Sequence, residues 1–266
     1  MISQLNIQTA LRGNITYLEK SYCTQPFKVA NITEDKTAET LHLMVMSSSP
    51  GILDGDDYQW KINVAKQSSL HLQTQSFQRL FTMKQGATQS TEVHQQAGSS
   101  FCFLPHPVVP HEVSSFKTKN KIFLADDCSL VWGEVLTCGR KLNGEVFKFS
   151  KYHSVTEIFI NNKLVIKENL LINPSLVNVN AIGQLEGYTH QATFIFLKKN
   201  IAVNDLIKSI SNFLSTENEI VFGISAAPVS GFIVRLLGQK AEQLYTCLQL
   251  IAEKLITPQK IMEYAG

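Results

Sequence analysis

An acidic bend near residue 50 is the first place where the residue types could do chemistry. It contains a proline, two glycines and three carboxylates, in the run Ser49-Pro50-Gly51-Ile52-Leu53-Asp54-Gly55-Asp56-Asp57. Carboxylate oxygens bind hard and borderline divalent cations, so the bend is a candidate cation site. Its spacing differs from that of an EF-hand, which argues against calcium. Taken alone, the pattern favours an ordinary solvated Asp-Gly turn.

A proline-rich segment with two histidines is the second candidate. Pro105, Pro107 and Pro110 impose an extended backbone with few hydrogen bonds. His106 and His111 lie within it, and imidazole is a good ligand for nickel, copper and zinc. Residues five apart in an extended segment point to opposite sides, so the two rings would not easily share one ion. We therefore predict a rigid edge segment whose histidines are surface groups.

The third candidate is a predicted hairpin that carries two glutamates and an arginine. Glu134 and Glu145 lie on either side of Arg140 and of the Asn143-Gly144 turn. Paired carboxylates could perform general acid–base work. The alternative is a cross-strand ion pair between Arg140 and Glu145, which contributes only about 0.2–1 kcal/mol when it is exposed. The residue types leave both readings open.

Common catalytic signatures are absent from the sequence. It has no G-x-S-x-G, no G-x-x-x-x-G-K-[ST] and no G-x-G-x-x-G, so we expect a protein that is not an enzyme. The cysteines are odd in number and form no C-x-x-C, which argues against a disulfide framework and a structural zinc site. They are Cys23, Cys102, Cys128, Cys138 and Cys247. Reduced cysteines fit a cytoplasmic protein.

Charge and hydropathy exclude two further classes of partner. Lysine and arginine total 24 and aspartate and glutamate total 22, with no basic stripe, so nucleic-acid binding has no electrostatic footprint. The N-terminus does not have the pattern of a signal peptide. The longest apolar runs fall far below the roughly 18 residues that span a bilayer. We expect neither nucleic acid nor a membrane as partner.

The elements that must position these residues are mostly strands. Tyr58, Trp60, Ile62 and Val64 alternate with polar residues, which is the period of a half-buried strand. Similar pieces recur every 8–12 residues from about 5 to 200, and two of them flank an Asp126-Asp127 turn. Asn-Gly and Asn-Asn pairs predict type I′ hairpin turns. These pairs are Asn143-Gly144 and Asn161-Asn162.

Helical periodicity appears only beyond about residue 200. One helix follows Asn204 as its cap, two strands lie around Pro228, and Pro258 ends a second helix. The second helix presents one apolar face, formed by Leu244, Leu248, Ile251 and Leu255. We expect this face to pack on the protein's own sheet.

The fold prediction is therefore a mainly β protein. We expect a β-helical or sandwich-like stack of sheets with two helices in a C-terminal α/β portion. The whole chain, 1–266, is predicted as one domain. Its part up to about 200 is all-β, and about 200–258 forms a strand-helix-strand-strand-helix tail.

Six segments, in order along the chain, resemble the motifs of the UreD/UreH urease accessory protein family. They are 49–56, 74–81, 103–116, 130–149, 187–194 and 232–244. The motif residues within them are Ser49, Pro50, Gly51, Gly55, Asp56, Thr74, Pro105, Pro107, Pro110, Gly139, Arg140 and Gly144. No single motif is decisive, but their joint order is specific and spans most of the chain.

The resemblance implies a non-catalytic factor in urease maturation. It implies association with the urease subunits, with a helical (UreF-like) accessory protein and with a GTPase (UreG-like) accessory protein. It also implies that nickel passes transiently along a water-filled route, with no permanently bound cofactor. By the same resemblance, Asp56, Glu134 and Glu145 are the candidate residues of the nickel route.

A carbohydrate-binding or carbohydrate-active protein of β-helical or sandwich fold is the rival reading. Such proteins expose aromatic platforms and paired carboxylates. This chain has only two tryptophans, no export signal and no matching carboxylate motif, so the rival is the weaker reading.

Overall fold

The computed structural model describes residues 1–256, which form seventeen strands, two α-helices and one short 3-10 helix. In chain order the strands are β1 (Ile2–Arg12), β2 (Ile15–Cys23), β3 (Phe27–Asn31), β4 (Thr40–Ser47), β5 (Asp57–Val64), β6 (Ser69–Thr74), β7 (Gln78–Leu80), β8 (Ala87–Gln95), β9 (Ser100–Phe103), β10 (Val108–Pro110), β11 (Ser115–Leu124), β12 (Ser129–Thr137), β13 (Lys151–Ile160), β14 (Lys163–Ile172), β15 (His190–Leu197), β16 (Ile220–Ala226) and β17 (Gly231–Gly238). The helices are α1 (Val203–Leu214) and α2 (Ala241–Ile256), and the 3-10 helix is Lys141–Asn143.

The strands form two sheets. A seven-stranded sheet has the order β14-β13-β11-β8-β5-β1-β2, and a ten-stranded sheet has the order β16-β17-β15-β12-β9-β6-β4-β3, with β10 and β7 attached beside β12. From β4 to β13 the chain crosses repeatedly between the sheets. Consequently β5, β8, β11 and β13 are parallel neighbours in one sheet, and β4, β6, β9 and β12 in the other. The predicted β-helical, sandwich-like stack is confirmed.

Alternating apolar residues join the sheets through a shared core. Trp60, Ile62 and Val64 of β5 pack in one cluster with Leu43 and Leu72 of the opposite sheet. Strand side chains alternate between the two faces of a sheet, so β5 places every second residue from Trp60 to Val64 in this cluster. Each large apolar side chain that is fully buried contributes roughly 1.5–3 kcal/mol. The predicted alternation of β5 is confirmed.

The two predicted Asn turns have different outcomes. Asn161 and Asn162 adopt φ of 48° and 63° and join the antiparallel strands β13 and β14, so this hairpin is confirmed. The hairpin at Asn143-Gly144 is wrong. The chain there forms the 3-10 helix and crosses to the other sheet, where β13 begins at Lys151. Both edges of β12 are already paired, with β9 and β15, so no hairpin partner could add to it.

The strands predicted around Asp126-Asp127 are β11 and β12. They lie in different sheets, so the turn between them also connects the layers and is not a hairpin. Asp127 adopts a φ of 58° at this corner. A short polar residue tolerates this left-handed conformation better than a branched one.

Beyond β15, which ends at Leu197, the chain forms helix, strand, strand and helix, so the first strand of the predicted order lies before residue 200. Asn204 as helix cap is wrong, because α1 is capped by Ala202 without a side-chain hydrogen bond and Asn204 lies inside the first turn. Pro258 lies outside the described residues, and α2 extends to Ile256. In α2, Leu248 packs with β12, β15 and β17, which confirms that the helix face lies on the protein's own sheet.

The proline-rich segment at 105–111 is neither an edge segment nor a carrier of two surface histidines, contrary to the prediction from the sequence. Its strand β10 lies between β7 and β12, so it is not an edge strand. His111 is 5% exposed, packs with its ring 4.8 Å from that of Phe81 and donates its backbone N–H to Leu80, so it is not a surface group. His106 is half-buried beside the ring of Tyr245. Within residues 1–256, no helix has the length and apolar character to cross a membrane.

Candidate functional site

Two neighbouring cavities lie between the sheets. The first has a volume of about 130 Å³ and is lined by β5 and β11 of one sheet and by β9 and β12 of the other. The second, of about 40 Å³, is lined by β12, β13, β14 and β15. Trp132, Glu134 and Tyr152 border both cavities. A water molecule needs only about 10–15 Å³ of such volume, so the first cavity has room for several.

Glu134 is the acidic side chain common to both cavities. It follows Trp132 on the inward face of β12, where strand alternation points it away from the helices and toward the opposite sheet. Its Oε1 accepts hydrogen bonds from Asn120 Nδ2 at 3.0 Å, Trp132 Nε1 at 2.9 Å and Thr156 Oγ1 at 3.1 Å. Its Oε2 accepts one from Ser154 Oγ at 2.9 Å. The carboxylate therefore has four donors from three strands.

The environment of Glu134 opposes its negative charge. Burial raises the pKa of this carboxyl group, the hydrogen bonds from Trp132, Ser154 and Thr156 oppose the rise, and the carboxylate of Glu168 adds to it. Hydrogen bonds to an ionised carboxylate are stronger than neutral ones, so the network partly compensates for lost hydration. The carboxylate of Glu134 is therefore a candidate oxygen ligand held in a fixed position between the two sheets.

Polar residues at inward strand positions complete this site, and the sequence reasoning missed them. Asn120 on β11 and Ser154 and Thr156 on β13 are buried where an apolar residue would be expected. Polar residues at alternating core positions were the signal that could have revealed them. Trp60 also lines the first cavity, and its buried indole N–H has no hydrogen-bond partner among residues 1–256. That donor is available to a molecule in the cavity.

The acidic bend lies beside the first cavity. Asp54 accepts the backbone N–H groups of Gln85 and Gly86, so its role is local. Asp56 accepts the backbone N–H of Leu53 at 2.9 Å. Its carboxylate also neighbours the hydroxyl of Tyr58, which lines the cavity; burial, and then the charge of Asp56, raise the pKa of Tyr58 to about 12.

Glu145 lies apart from the two cavities. Arg140 donates Nε to Glu145 Oε2 at 2.8 Å and Nη2 to Oε1, and the backbone N–H of Glu112 donates to Oε2 at 3.2 Å. The guanidinium holds the pKa of Glu145 below its usual value. The ion pair considered from the sequence is therefore present, although it closes a turn and does not cross a hairpin.

The three predicted route residues do not form one cluster. Of Asp56, Glu134 and Glu145, only Glu134 lines either cavity. Over residues 1–256, no group of three or more histidine, cysteine, aspartate or glutamate side chains is arranged to hold a metal ion. Glu134 borders both cavities, and Glu168, which is paired with Arg235, lines the second one, so the described interior lacks the ligand set of a tight metal site.

Three of the sequence motifs converge on the first cavity. Ser49, Pro50 and Gly51 line it together with Thr74 and Pro105, although they are far apart in sequence. A side chain at Gly51 would meet the carbonyl oxygen of Arg79 at 2.4 Å, so only glycine fits this close approach. The remaining motif residues do not line either cavity; they lie in the acidic bend, in and next to β10, and at the Arg140–Glu145 turn. They are Gly55, Asp56, Pro107, Pro110, Gly139, Arg140 and Gly144.

The two tryptophans of this chain do not form an exposed platform. Trp60 and Trp132 are 5% and 2% exposed and lie between the sheets. Carbohydrate-binding surfaces present flat aromatic rings to solvent, and both tryptophans of this chain are used in the core. This arrangement argues against the hypothesis of a carbohydrate-binding or carbohydrate-active protein.

Fold and site together define a mainly β, two-layer protein with internal cavities and one buried carboxylate between them. Its residues 2–262 match the model of a family described as UreD urease accessory protein. The chain belongs to this family, and its role is accordingly accessory to urease.

Curated relatives agree over nearly the whole chain. A urease accessory protein UreD of Flavobacterium johnsoniae is 47% identical over 256 residues, which cover 96% of this chain and 92% of the relative. The proteins of the same name from Acetivibrio thermocellus and Haemophilus influenzae are each 33% identical. They cover 94% and 96% of this chain and 95% and 99% of their own lengths.

Proposed function

We propose that this chain is a cytoplasmic urease maturation factor that helps nickel reach the active site of urease. In this role it is a scaffold without a catalytic step of its own. It binds apo-urease together with a helical accessory protein and a GTPase. Nickel is its transient cargo and not a resident cofactor.

The pair of cavities that meet at Glu134 is the observation that supports a conduit. A cation moving from one cavity to the other would pass Glu134, which is the one acidic side chain among the described residues that borders both. The carboxylate, with the hydroxyls of Ser154 and Thr156 and the carbonyl of Asn120, offers oxygen ligands along that path.

These oxygen ligands would bind nickel weakly, which suits a protein that passes the ion on. Conduction requires binding that is favourable enough for entry and weak enough for exit. Nickel binds most tightly to nitrogen and sulfur ligands in fixed geometries, and a closed set of histidines or cysteines would retain it. One carboxylate with neutral oxygen neighbours exchanges the ion readily.

Asp56 is proposed as an outer residue of the same route. It lies beside Tyr58 at the edge of the first cavity and 3.6 Å from the exposed N-terminal ammonium group; solvent weakens that ion pair, so the carboxylate would still attract a cation toward the cavity. Glu145 is neutralised by Arg140 and borders neither cavity. We therefore assign the interior step to Glu134 alone.

Deletion of this chain tests the proposal. In a urease-producing host that carries it as the sole UreD-family protein, we expect the deletion strain to make urease subunits that are nickel-poor and inactive. Nickel per urease active site, measured on the purified enzyme, should recover when the chain is expressed again. Normal nickel content and activity in the deletion strain would overturn the assignment.

A further inference from the structure

Two histidines lie opposite each other on the outer face of the ten-stranded sheet. His42 on β4 pairs in register with His71 on the parallel neighbour β6. Their sequence neighbours Leu41, Leu43 and Leu70 are buried in the core between the sheets. Strand alternation therefore places both imidazoles on the opposite side, away from the cavities.

The distance between the rings suits a shared ligand. Their centroids are 5.1 Å apart and their planes are inclined by 52°. With nitrogen–metal bonds of about 2.1 Å, a cation bound to both rings would lie about 3.2 Å from each centroid. Centroids at the observed separation would then subtend roughly 105° at the cation, close to a tetrahedral angle.

Their ring nitrogens are also available. Four other histidines have a side-chain partner for a ring nitrogen, and these pairs are His94 with Glu92, His106 with Thr74, His153 with Asn169 and His190 with Thr189. In the part of the chain that the structure describes, no such partner exists for His42 or His71, although both are half-buried. Ring nitrogens that no protein group occupies are free to bind a ligand.

The surroundings favour a borderline metal over a hard one. The adjacent positions on the two strands are Thr40 and Ser69 on one side and Met44 and Gln73 on the other, so neither strand places a carboxylate beside the pair. Burial lowers the pKa of both histidines, that of His71 to about 4, while the charge of Glu34 acts in the opposite direction on His42. A lowered pKa favours the neutral imidazole, which is the form that binds a metal.

We infer that His42 and His71 form a metal site for a borderline first-row cation, of the Ni²⁺, Cu²⁺ and Zn²⁺ class, with water completing the coordination. Imidazole nitrogen is a preferred ligand of these ions, whereas Mg²⁺ and Ca²⁺ prefer oxygen. The site lies on the other face of the sheet from Glu134 and does not depend on the conduit role.

Titration of the purified full-length chain with Ni²⁺ alone tests the inference. We expect His42→Gln and His71→Gln each to weaken binding at this site at least tenfold, and the double variant to abolish it, because no imidazole ligand remains. His153→Gln is the matched control on the other sheet and should bind as the unaltered chain does. Cu²⁺ should bind more tightly than Ni²⁺, following the Irving–Williams order.

A second measurement leaves the sequence unchanged, so it does not depend on how the variants fold. Ni²⁺ should protect His42 and His71 from acylation by diethylpyrocarbonate, with modification mapped by mass spectrometry, and should leave His153 reactive. Equal modification with and without Ni²⁺ would overturn the site, as would unchanged nickel affinity in both single variants. Glu134→Gln should leave this binding intact, which separates the outer site from the proposed route.

Discussion

Glu134 is costly to bury between the sheets, and it is also the residue to which we assign the interior step of the nickel route. Taking a carboxylate out of water is unfavourable unless hydrogen bonds replace its hydration. Here Asn120, Trp132, Ser154 and Thr156 supply four donors, and the pKa is still raised because burial is the largest effect. A glutamine at this position could accept at Oε1 and donate to Ser154, so it preserves the shape and removes the charge.

The raised pKa predicts a pH-dependent difference between the unaltered chain and Glu134→Gln. The contribution of the Glu134 carboxyl group to the free energy of unfolding is fully present at a pH below the ordinary carboxyl pKa of the unfolded chain. This contribution is lost as the pH rises through the higher pKa of the folded state. Glutamine cannot ionise and lacks this contribution. The free energy of unfolding of the variant, relative to the unaltered chain, should therefore increase as pH rises from 4 to 8.

Urea unfolding of both proteins at each pH measures this difference, and the other titrating groups are common to both. Glu157→Gln, on the outer face of β13, is the control and should not show this trend, since Lys167 and Lys119 hold the pKa of Glu157 below its usual value. Parallel stability curves for Glu134→Gln and the unaltered chain would contradict the account of the buried carboxylate.

Individual residue roles were only partly predictable from sequence. The Arg140–Glu145 pair was foreseeable because its members are neighbours across a short turn, and the structure contains it. The surroundings of Glu134 were not, because three of its four donors come from strands of the opposite sheet. Asn120 and Thr156 meet the carboxylate only once the register of β11 and β13 is set.

At the scale of elements, strand periodicity identified strands without assigning them to sheets. A two-residue alternation is the same in a hairpin and in a chain that crosses between layers. Asn161-Asn162 was predictable because both residues take the left-handed conformation that a type I′ turn requires. Asn143-Gly144 has similar chemistry, but the occupied edges of β12 leave no place for a hairpin strand. At Asn143-Gly144 the tertiary structure, and not the local sequence, determines the conformation of the turn.

Helix α2 depends on a close approach to the sheet below it. A side chain at Gly133 of β12 would lie 2.5 Å from Leu104 and 3.1 Å from Leu248, so glycine lets the helix pack closely. Leu248 itself is 1% exposed. We predict that Leu248→Ala lowers the free energy of unfolding by roughly 2–5 kcal/mol, because it leaves a cavity between helix and sheet.

Leu250→Ala is the matched control on the same helix, because Leu250 is 37% exposed. It should change stability by much less, and both effects can be measured by denaturant unfolding. If Leu248→Ala left the stability unchanged and abolished assembly with the urease complex, this face of α2 would be a partner interface and the packing account would be wrong.

At the scale of the whole molecule, the two-layer winding brings distant segments to one place. Ser49, Thr74 and Pro105 meet at the first cavity because successive crossings return the chain to the same end of the stack. The sequence predicted a mainly β stack and indicated the family. Neither periodicity nor motif order could predict the cavities, since these depend on how side chains from the two sheets fill the space between them.

The most direct test of the conduit is the rate of urease activation against nickel concentration, with Glu134→Gln compared with the unaltered chain. Glu157→Gln again serves as control, and size exclusion checks that each variant enters the urease complex. We predict that Glu134→Gln assembles normally, activates urease more slowly at limiting nickel and recovers partly as nickel is raised, because mass action compensates for a slower route. An intact complex with unchanged activation at limiting nickel would contradict the central claim.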